Sequence, residues 1–119
     1  MKICITSQGP ELTSQTDPRF GRARYFIIYD DQTGEFEAID NAENVGAAGG
    51  AGVQSAQTVV ERDCKWVLSG HIGPRAMSVL SEADVKVAVG AEGTVQDAIE
   101  AFRAGKLTEA AGPDVAPHW

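Results

Sequence analysis

The stretch Ser69-Gly70-His71-Ile72-Gly73-Pro74-Arg75-Ala76 joins a predicted strand to a predicted helix. The apolar run at 65–68 enters it as a buried strand, and the residues after it repeat with helical periodicity. Gly73 followed by Pro74 marks a helix start, because proline fits the first helical position, where an amide proton has no intrahelical partner. The turn therefore brings amide groups, the partly positive end of a helix, an imidazole and a guanidinium into one small volume. Such a place suits an anion.

Two other segments have the composition of an anion-binding loop. The segment 19–24, Arg-Phe-Gly-Arg-Ala-Arg, contains three of the ten basic residues in a chain of net charge −7. The segment 46–52 contains four glycines, which let the backbone approach a ligand and let successive amides hold an anion. The arginines could instead pair with some of the seventeen acidic residues, and the glycines could form a plain linker.

The order of the predicted elements defines the fold class. A first strand is followed by a long polar loop to Phe20, then by a hairpin, and then by alternating helices and strands. We predict strands at 3–6, 25–29, 35–38, 65–68 and 85–89, and helices at 53–62, 76–83 and 94–102. The alternation predicts parallel strands joined by crossovers. The expected fold is α/β, a mixed five-stranded sheet with an antiparallel hairpin and parallel strands, flanked by helices. It should occupy residues 1–107, followed by a tail at 108–119.

The same topology predicts where the three loops lie. In open α/β sheets, ligands bind beyond the carboxyl ends of the strands, close to helix N-termini. The turn at 69–76 follows the fourth strand, the basic loop ends the segment after the first strand, and the glycine segment opens a helix. We therefore expect all three to meet at one edge of the sheet.

Composition excludes several function classes. An acidic chain of 119 residues has little general affinity for nucleic acid or for anionic membranes. Cys4 and Cys64 are too few and too far apart for a zinc or iron–sulfur ligand set, so we interpret them as reduced, packed thiols. The sequence starts directly with a strand-like run, without the pattern of a signal peptide or a membrane span, which indicates a cytoplasmic protein.

Known catalytic and nucleotide-binding motifs do not occur in the sequence. The glycine segment matches neither a phosphate-binding P-loop nor a dinucleotide fingerprint, and there is no nucleophile elbow or H-E-x-x-H motif. Asp17 beside Arg19 could be a salt bridge or a loop cap as readily as a general base. His71 could be a structural residue, a hydrogen-bond donor to an anion or a ligand of a soft metal. We therefore predict a protein that is not an enzyme.

The three segments together resemble a known family. The motifs are the opening strand at 1–5, Asp17-Pro18-Arg19-Phe20-Gly21-Arg22-Ala23, the glycine segment from Asn44 to Gly52 leading into Gln54-Ser55-Ala56, and the 69–76 turn. In this order, over about Met1 to Leu107, the chain is similar to the dinitrogenase iron–molybdenum cofactor-binding family, which includes NifX and NifB C-terminal-like domains.

The resemblance implies a ribonuclease H-like fold and a noncovalently held molybdenum–copper sulfide cluster, or alternatively an iron–molybdenum cofactor precursor. It also implies association with ParA/MinD-type ATPases. His71 would be the metal contact, and the cofactor-contacting residues would be Arg19, Phe20, Gly21, Arg22, Gly46, Gly49, Gly50, Gly52, His71, Ile72, Gly73, Pro74 and Arg75. Two other functions stay open: an adaptor for such an ATPase without a cofactor, and an enzyme acting on a small phosphorylated anion.

Overall fold

The protein folds around one open sheet of six strands, described here from a computed structural model that covers residues 1–42 and 50–113. The strands are β1 (Lys2–Ser7), β2 (Tyr25–Asp30), β3 (Phe36–Asp40), β4 (Cys64–Leu68), β5 (Lys86–Val89) and β6 (Thr108–Glu109). Their spatial order is β3-β2-β1-β4-β5-β6. β1 pairs antiparallel with β2 and parallel with β4, and β4 pairs parallel with β5. The predicted mixed α/β fold class is therefore confirmed.

Within the described residues, three helices cover the two faces of the sheet: α1 (Ala51–Glu61), α2 (Pro74–Glu82) and α3 (Val95–Arg103). The apolar stripes of α1 and α2 pack on one face against Cys4, Phe26 and Val67. The stripe of α3 packs on the other face against Ile3, Ile5 and Leu68. Because both faces are covered, β1 is buried from its second residue onward, and its sequence is therefore a nearly continuous apolar run.

The sixth strand corrects the predicted count of five. Thr108 and Glu109, which the sequence assigned to the tail, pair antiparallel with Val89 and Ala88 of β5. Two exposed polar residues give no alternating pattern, so the strand exists only because the edge of β5 is available to it. The limit of the domain at 107 stays a prediction, although the chain remains attached to the sheet beyond that residue.

The long polar segment before Phe20 has a structural role in its middle part. The amides of Val95 and Gln96, in the first turn of α3, donate to the carbonyls of Ser14 and Leu12 at 2.9 Å each. Thr94 and Asp97 complete the N-terminus of α3 with a capping box. The end of the segment, from Asp17 onward, runs beside the turn that contains His71.

A candidate anion-binding site at the carboxyl edge

Residues 19–24, the basic loop, lie beside residues 69–76, the histidine turn. Arg19 and His71 form a parallel β-bridge, and the amide of His71 donates to the carbonyl of Pro18 at 2.8 Å. Gly70 permits this approach, because a Cβ atom at this position would lie 2.8 Å from the Cα of Pro18. The backbones of two segments separated by about fifty residues are thus in direct contact, and Arg19 and His71 are neighbours, as the topology predicted.

The basic loop also contacts the start of α1. A Cβ atom on Gly21 would lie 2.9 Å from the Cα of Gly52, so these two backbones touch without side chains between them. A Cβ atom on Gly52 would in turn lie 3.7 Å from the Cβ of Ala76, in the first turn of α2. Segments 17–24, 50–52 and 69–76 therefore meet at one edge, as expected. Gly46 and Gly49 lie outside the described residues.

The helices α1 and α2 both start at this edge without a side-chain cap. Their N-cap residues are Gly50 and Gly73, and neither first turn contains an acidic residue. Pro74 occupies the first position of α2, as predicted. At the neighbouring N-terminus of α3, by contrast, backbone carbonyls and the capping box take up the amides. The first turns of α1 and α2 thus contribute no acidic side chain to offset the positive helix ends, which favours an anion.

Two of the three arginines in the basic loop have no ion-pair partner in residues 1–42 or 50–113. Arg19 and Arg22 are exposed, and the ion pairs of the described residues do not include them. Arg24 differs, because it pairs with Asp40 and lies 5.0 Å from the centre of the Tyr25 ring. The alternative that the loop arginines pair with acids therefore describes Arg24. In a chain of net charge −7, the guanidinium groups of Arg19, which adjoins His71, and of Arg22 lie in the same loop near two helix N-termini and make this region locally positive.

Two predicted site residues, Phe20 and Ile72, have buried side chains and could offer a ligand only their backbone. Phe20 and Ile72 are 2% and 1% exposed, and their side chains belong to the core under α1 and α2, where Phe20 stacks on Phe26. Neither side chain lines the site, because both act as anchors that hold the loops onto the sheet.

Arg75 is exposed in the first turn of α2, as the helix start predicts. Asp17 is a loop cap, since its Oδ1 accepts from the amide of Arg19 at 3.0 Å, and the ion pairs of the described residues do not include it.

A set of buried polar side chains under this edge was not predicted from the sequence. Thr6 is fully buried, and its hydroxyl lies 2.6 Å from the carbonyl of Asp17 and 3.2 Å from the hydroxyl of Ser69. Ser69 donates to the carbonyl of His71 at 3.1 Å. The buried polar residues of the described chain are Thr6, Ser7, Thr16, Asp17, Asn41, Ser55 and Ser69. All of them follow or end strands at the carboxyl edge, or lie in the loops and the helix start there. Since buried polar groups are costly unless bonded, their concentration indicates that this edge has a specific geometry to maintain.

The two cysteines are free and packed in the protein interior, as predicted. Cys4 is fully buried in the middle of β1, and Cys64 is 2% exposed at the first position of β4, at the opposite edge. Burial raises the pKa of Cys4 well above its ordinary value, and burial raises the pKa of Cys64 to about 12. Both thiols are therefore neutral at physiological pH and unsuited to binding metal as thiolates.

These raised thiol pKa values predict a loss of stability at alkaline pH. In the unfolded chain both thiols ionise from about pH 8.5, whereas in the folded chain the Cys64 thiol ionises only at about pH 12. The unfolded state thus releases protons first, so the contribution is complete below about pH 8.5 and is lost as pH rises towards 12. Urea unfolding of the wild type should show a steeper decline over this range than unfolding of Cys64→Ala, which shares every other titrating group. Equal slopes for the two proteins, or reaction of a thiol reagent with the native protein at pH 8, would contradict the assignment.

The donor set at the site suits a bulky anion better than a bare metal ion. Within the described ranges there is no group of three or more His, Cys, Asp or Glu side chains able to hold a metal ion. The site offers guanidinium groups, backbone amides and one imidazole, which bind anionic oxygen or sulfur atoms through charge and hydrogen bonds.

No helix in the part of the chain that the structure describes is long and apolar enough to cross a membrane.

Fold and site together define an α/β protein with a composite candidate site for an anion at the carboxyl edge of its sheet. Residues 1–105 match the family described as dinitrogenase iron-molybdenum cofactor, and the chain belongs to that family. Among solved structures, it is similar to the apo form of the orange protein from Desulfovibrio gigas, with 37% identity, a TM-score of 0.92 and coverage of 96% of both chains. It is also similar to a NifB-like protein from Thermotoga, with 38% identity, a TM-score of 0.81 and coverage of 91% of both chains. A protein of Methanocaldococcus jannaschii is 28% identical over 109 residues, which are 90% of this chain and 89% of that protein.

Proposed function

We propose that this protein binds a molybdenum-containing metal–sulfide cluster at the carboxyl edge of its sheet and transfers it without chemical turnover. The observation that supports the proposal most directly is the convergence of Arg19, His71 and the uncapped starts of α1 and α2. Membership of the iron–molybdenum cofactor family and similarity to the orange protein support the nature of the guest.

The chemistry of the site agrees with such a guest. A metal–sulfide cluster of this kind is a polyanion with many weak acceptor atoms, so it needs distributed positive charge and many donors rather than a few strong ligands. Arg19, Arg22 and Arg75 supply charge, and each helix N-terminus adds roughly half a positive charge. His71 would donate a hydrogen bond to sulfide or bind a soft metal through its neutral imidazole.

The two forms of the cluster differ in the metal that accompanies molybdenum. A molybdenum–copper sulfide cluster is our first choice, because copper(I) prefers soft sulfide and imidazole ligands, and His71 is the one imidazole at this edge among the described residues. An iron–molybdenum cofactor precursor is the alternative. Association with a ParA/MinD-type ATPase and a cytoplasmic location stay predictions of the sequence.

Reconstitution tests the proposed function. Purified protein incubated with tetrathiomolybdate and copper(I), then desalted, should keep visible absorbance and a fixed ratio of molybdenum to protein. Parallel incubations with tetrathiomolybdate and iron(II), and with tetrathiomolybdate alone, distinguish the two cluster types. Protein unfolded in urea before incubation is the control for adventitious adsorption. A colourless protein after all three native incubations would overturn the proposal, and turnover of a phosphorylated small molecule by that colourless protein would favour the enzyme alternative.

A further inference from the structure

We infer that Asn41 and Ser55 are positioning residues: they hold the backbone of the basic loop by hydrogen bonds and do not contact the bound cluster. The inference rests on the proposed function for its binding readout, while its structural readout is independent of any guest. Both residues are buried, at 1% and 0% exposure. They come from different elements, since Asn41 directly follows β3 and Ser55 lies in α1.

The hydrogen bonds of this pair converge on the backbone of the basic loop. Asn41 donates through Nδ2 to the carbonyl of Ala23 at 2.8 Å, and its amide donates to the carbonyl of Arg24 at 2.9 Å. Ser55 Oγ lies 3.2 Å from the carbonyl of Gly21 and 3.3 Å from Oδ1 of Asn41. Its single proton can therefore be donated either to the loop carbonyl or to the asparagine. Carbonyls on both sides of Arg22 are thereby held.

Arg22 depends on these contacts more than Arg19 does. The backbone beside Arg19 is fixed by the bridge to His71 and by Asp17 Oδ1, whereas Arg22 lies in an exposed turn. Below that turn, the loop rests on the Gly21–Gly52 contact and on the Asn41–Ser55 pair. An apolar residue at position 41 or 55 would leave loop carbonyls without these partners, and a loop without fixed carbonyls would lose part of the preorganisation of Arg22.

The helix that contains Ser55 offers a matched comparison. Ser55→Ala removes only a hydroxyl and introduces the best helix former, so the variant should fold. Val59→Ala, one turn further along α1, removes buried methyl groups from the core and touches no loop carbonyl by hydrogen bond. Val59→Ala should cost more stability than Ser55→Ala, although only Ser55→Ala should disturb the basic loop. Because the variant that loses more stability should disturb the loop less, the comparison separates a positioning role from a general loss of stability.

The experiment measures two quantities for the wild type, Ser55→Ala, Asn41→Ser and Val59→Ala. The first is the dissociation constant for tetrathiomolybdate with copper(I), and the second is the set of backbone amide chemical shifts of the apo protein. We expect binding to weaken about fivefold in Ser55→Ala, the equivalent of one lost hydrogen bond of roughly 1 kcal/mol. Asn41→Ser should weaken it at least as much, and Val59→Ala should bind as the wild type does. The largest shift changes should lie at residues 20–24 in the first two variants.

The outcomes distinguish this inference from the proposed function. If the wild type binds and Ser55→Ala and Asn41→Ser bind as Val59→Ala does, the positioning role is wrong and the cluster site stands. If the wild type does not bind, the proposed function is wrong, and the amide shifts alone decide the positioning role. Shift changes at 20–24 that are no larger in Ser55→Ala than in Val59→Ala would overturn it in either case.

Discussion

Arg19→Ala should weaken retention of a thiomolybdate-based cluster by about 10- to 100-fold, the range expected for one hydrogen bond that involves a charged group. Arg19 is exposed, has no ion-pair partner in residues 1–42 or 50–113, and lies beside His71 in the β-bridge. His71→Ala should cause a comparable loss, and the double variant should retain almost no colour after desalting. Absorbance and molybdenum content after desalting, and titration of the apo variants, measure these effects.

Arg24→Ala is the matched control for this prediction. It removes the same charge from the same loop, but the Arg24 guanidinium is directed to Asp40 and to the face of Tyr25. If the site depends on placed donors, Arg24→Ala should retain the cluster about as the wild type does. If it depends only on net charge, Arg19→Ala and Arg24→Ala should lose equal affinity. Normal reconstitution of both Arg19→Ala and His71→Ala would show that the cluster binds elsewhere.

The convergence of the candidate-site segments at one edge was predictable because it follows from local signals and topology. Gly73 and Pro74 mark the start of α2 whatever the rest of the chain does, and a helix that follows a parallel strand must start at the carboxyl edge. The loop after β1 must begin at the same edge for the same reason. The convergence of the Arg19 and His71 segments therefore required no knowledge of side-chain contacts.

The internal support of the site was not predictable, because it consists of contacts between residues far apart in sequence. Thr6 and Ser69 are separated by more than sixty residues, and a buried hydroxyl has the same sequence signature as an exposed one. Phe20 lies next to Arg19 in a polar segment, and the family resemblance implied that it contacts the cofactor, whereas its side chain is buried in the core. β6 likewise forms because β5 offers an edge, which Thr108 and Glu109 do not encode themselves.

The role of the glycines was predictable from the sequence only in part. Their number suggested backbone contact with a ligand, but Gly21 and Gly70 are needed for contact between segments of the protein itself. Glycine therefore has two roles here that the sequence does not separate: it exposes amides at the helix starts, and it lets neighbouring backbones touch. The second role makes the site sensitive to a single added carbon atom.

Gly70→Ala should reduce the free energy of unfolding by about 1–3 kcal/mol, the usual cost of forcing extra volume into a packed position. The added Cβ would lie 2.8 Å from the Cα and 2.9 Å from the carbonyl oxygen of Pro18. Both are backbone atoms and cannot rotate away, so the basic loop must shift relative to the histidine turn. The hydrogen bond from the His71 amide to the Pro18 carbonyl should lengthen or break. Urea unfolding measures the first effect, and protection of the His71 amide from hydrogen exchange measures the second.

Gly52→Ala provides the comparison, because it adds the same atom at the same edge where there is room for it. Its Cβ would lie in ordinary contact, 3.7 Å from the Cβ of Ala76, and alanine is favoured over glycine within a helix by about 0.5–1 kcal/mol. We expect Gly52→Ala to be as stable as the wild type or more so, with the His71 amide still protected. If Gly70→Ala were equally stable and equally protected, the two segments would not be in fixed contact. Arg19 and His71 would then have no fixed geometry relative to each other, and a site that contains both would form only when the cluster binds.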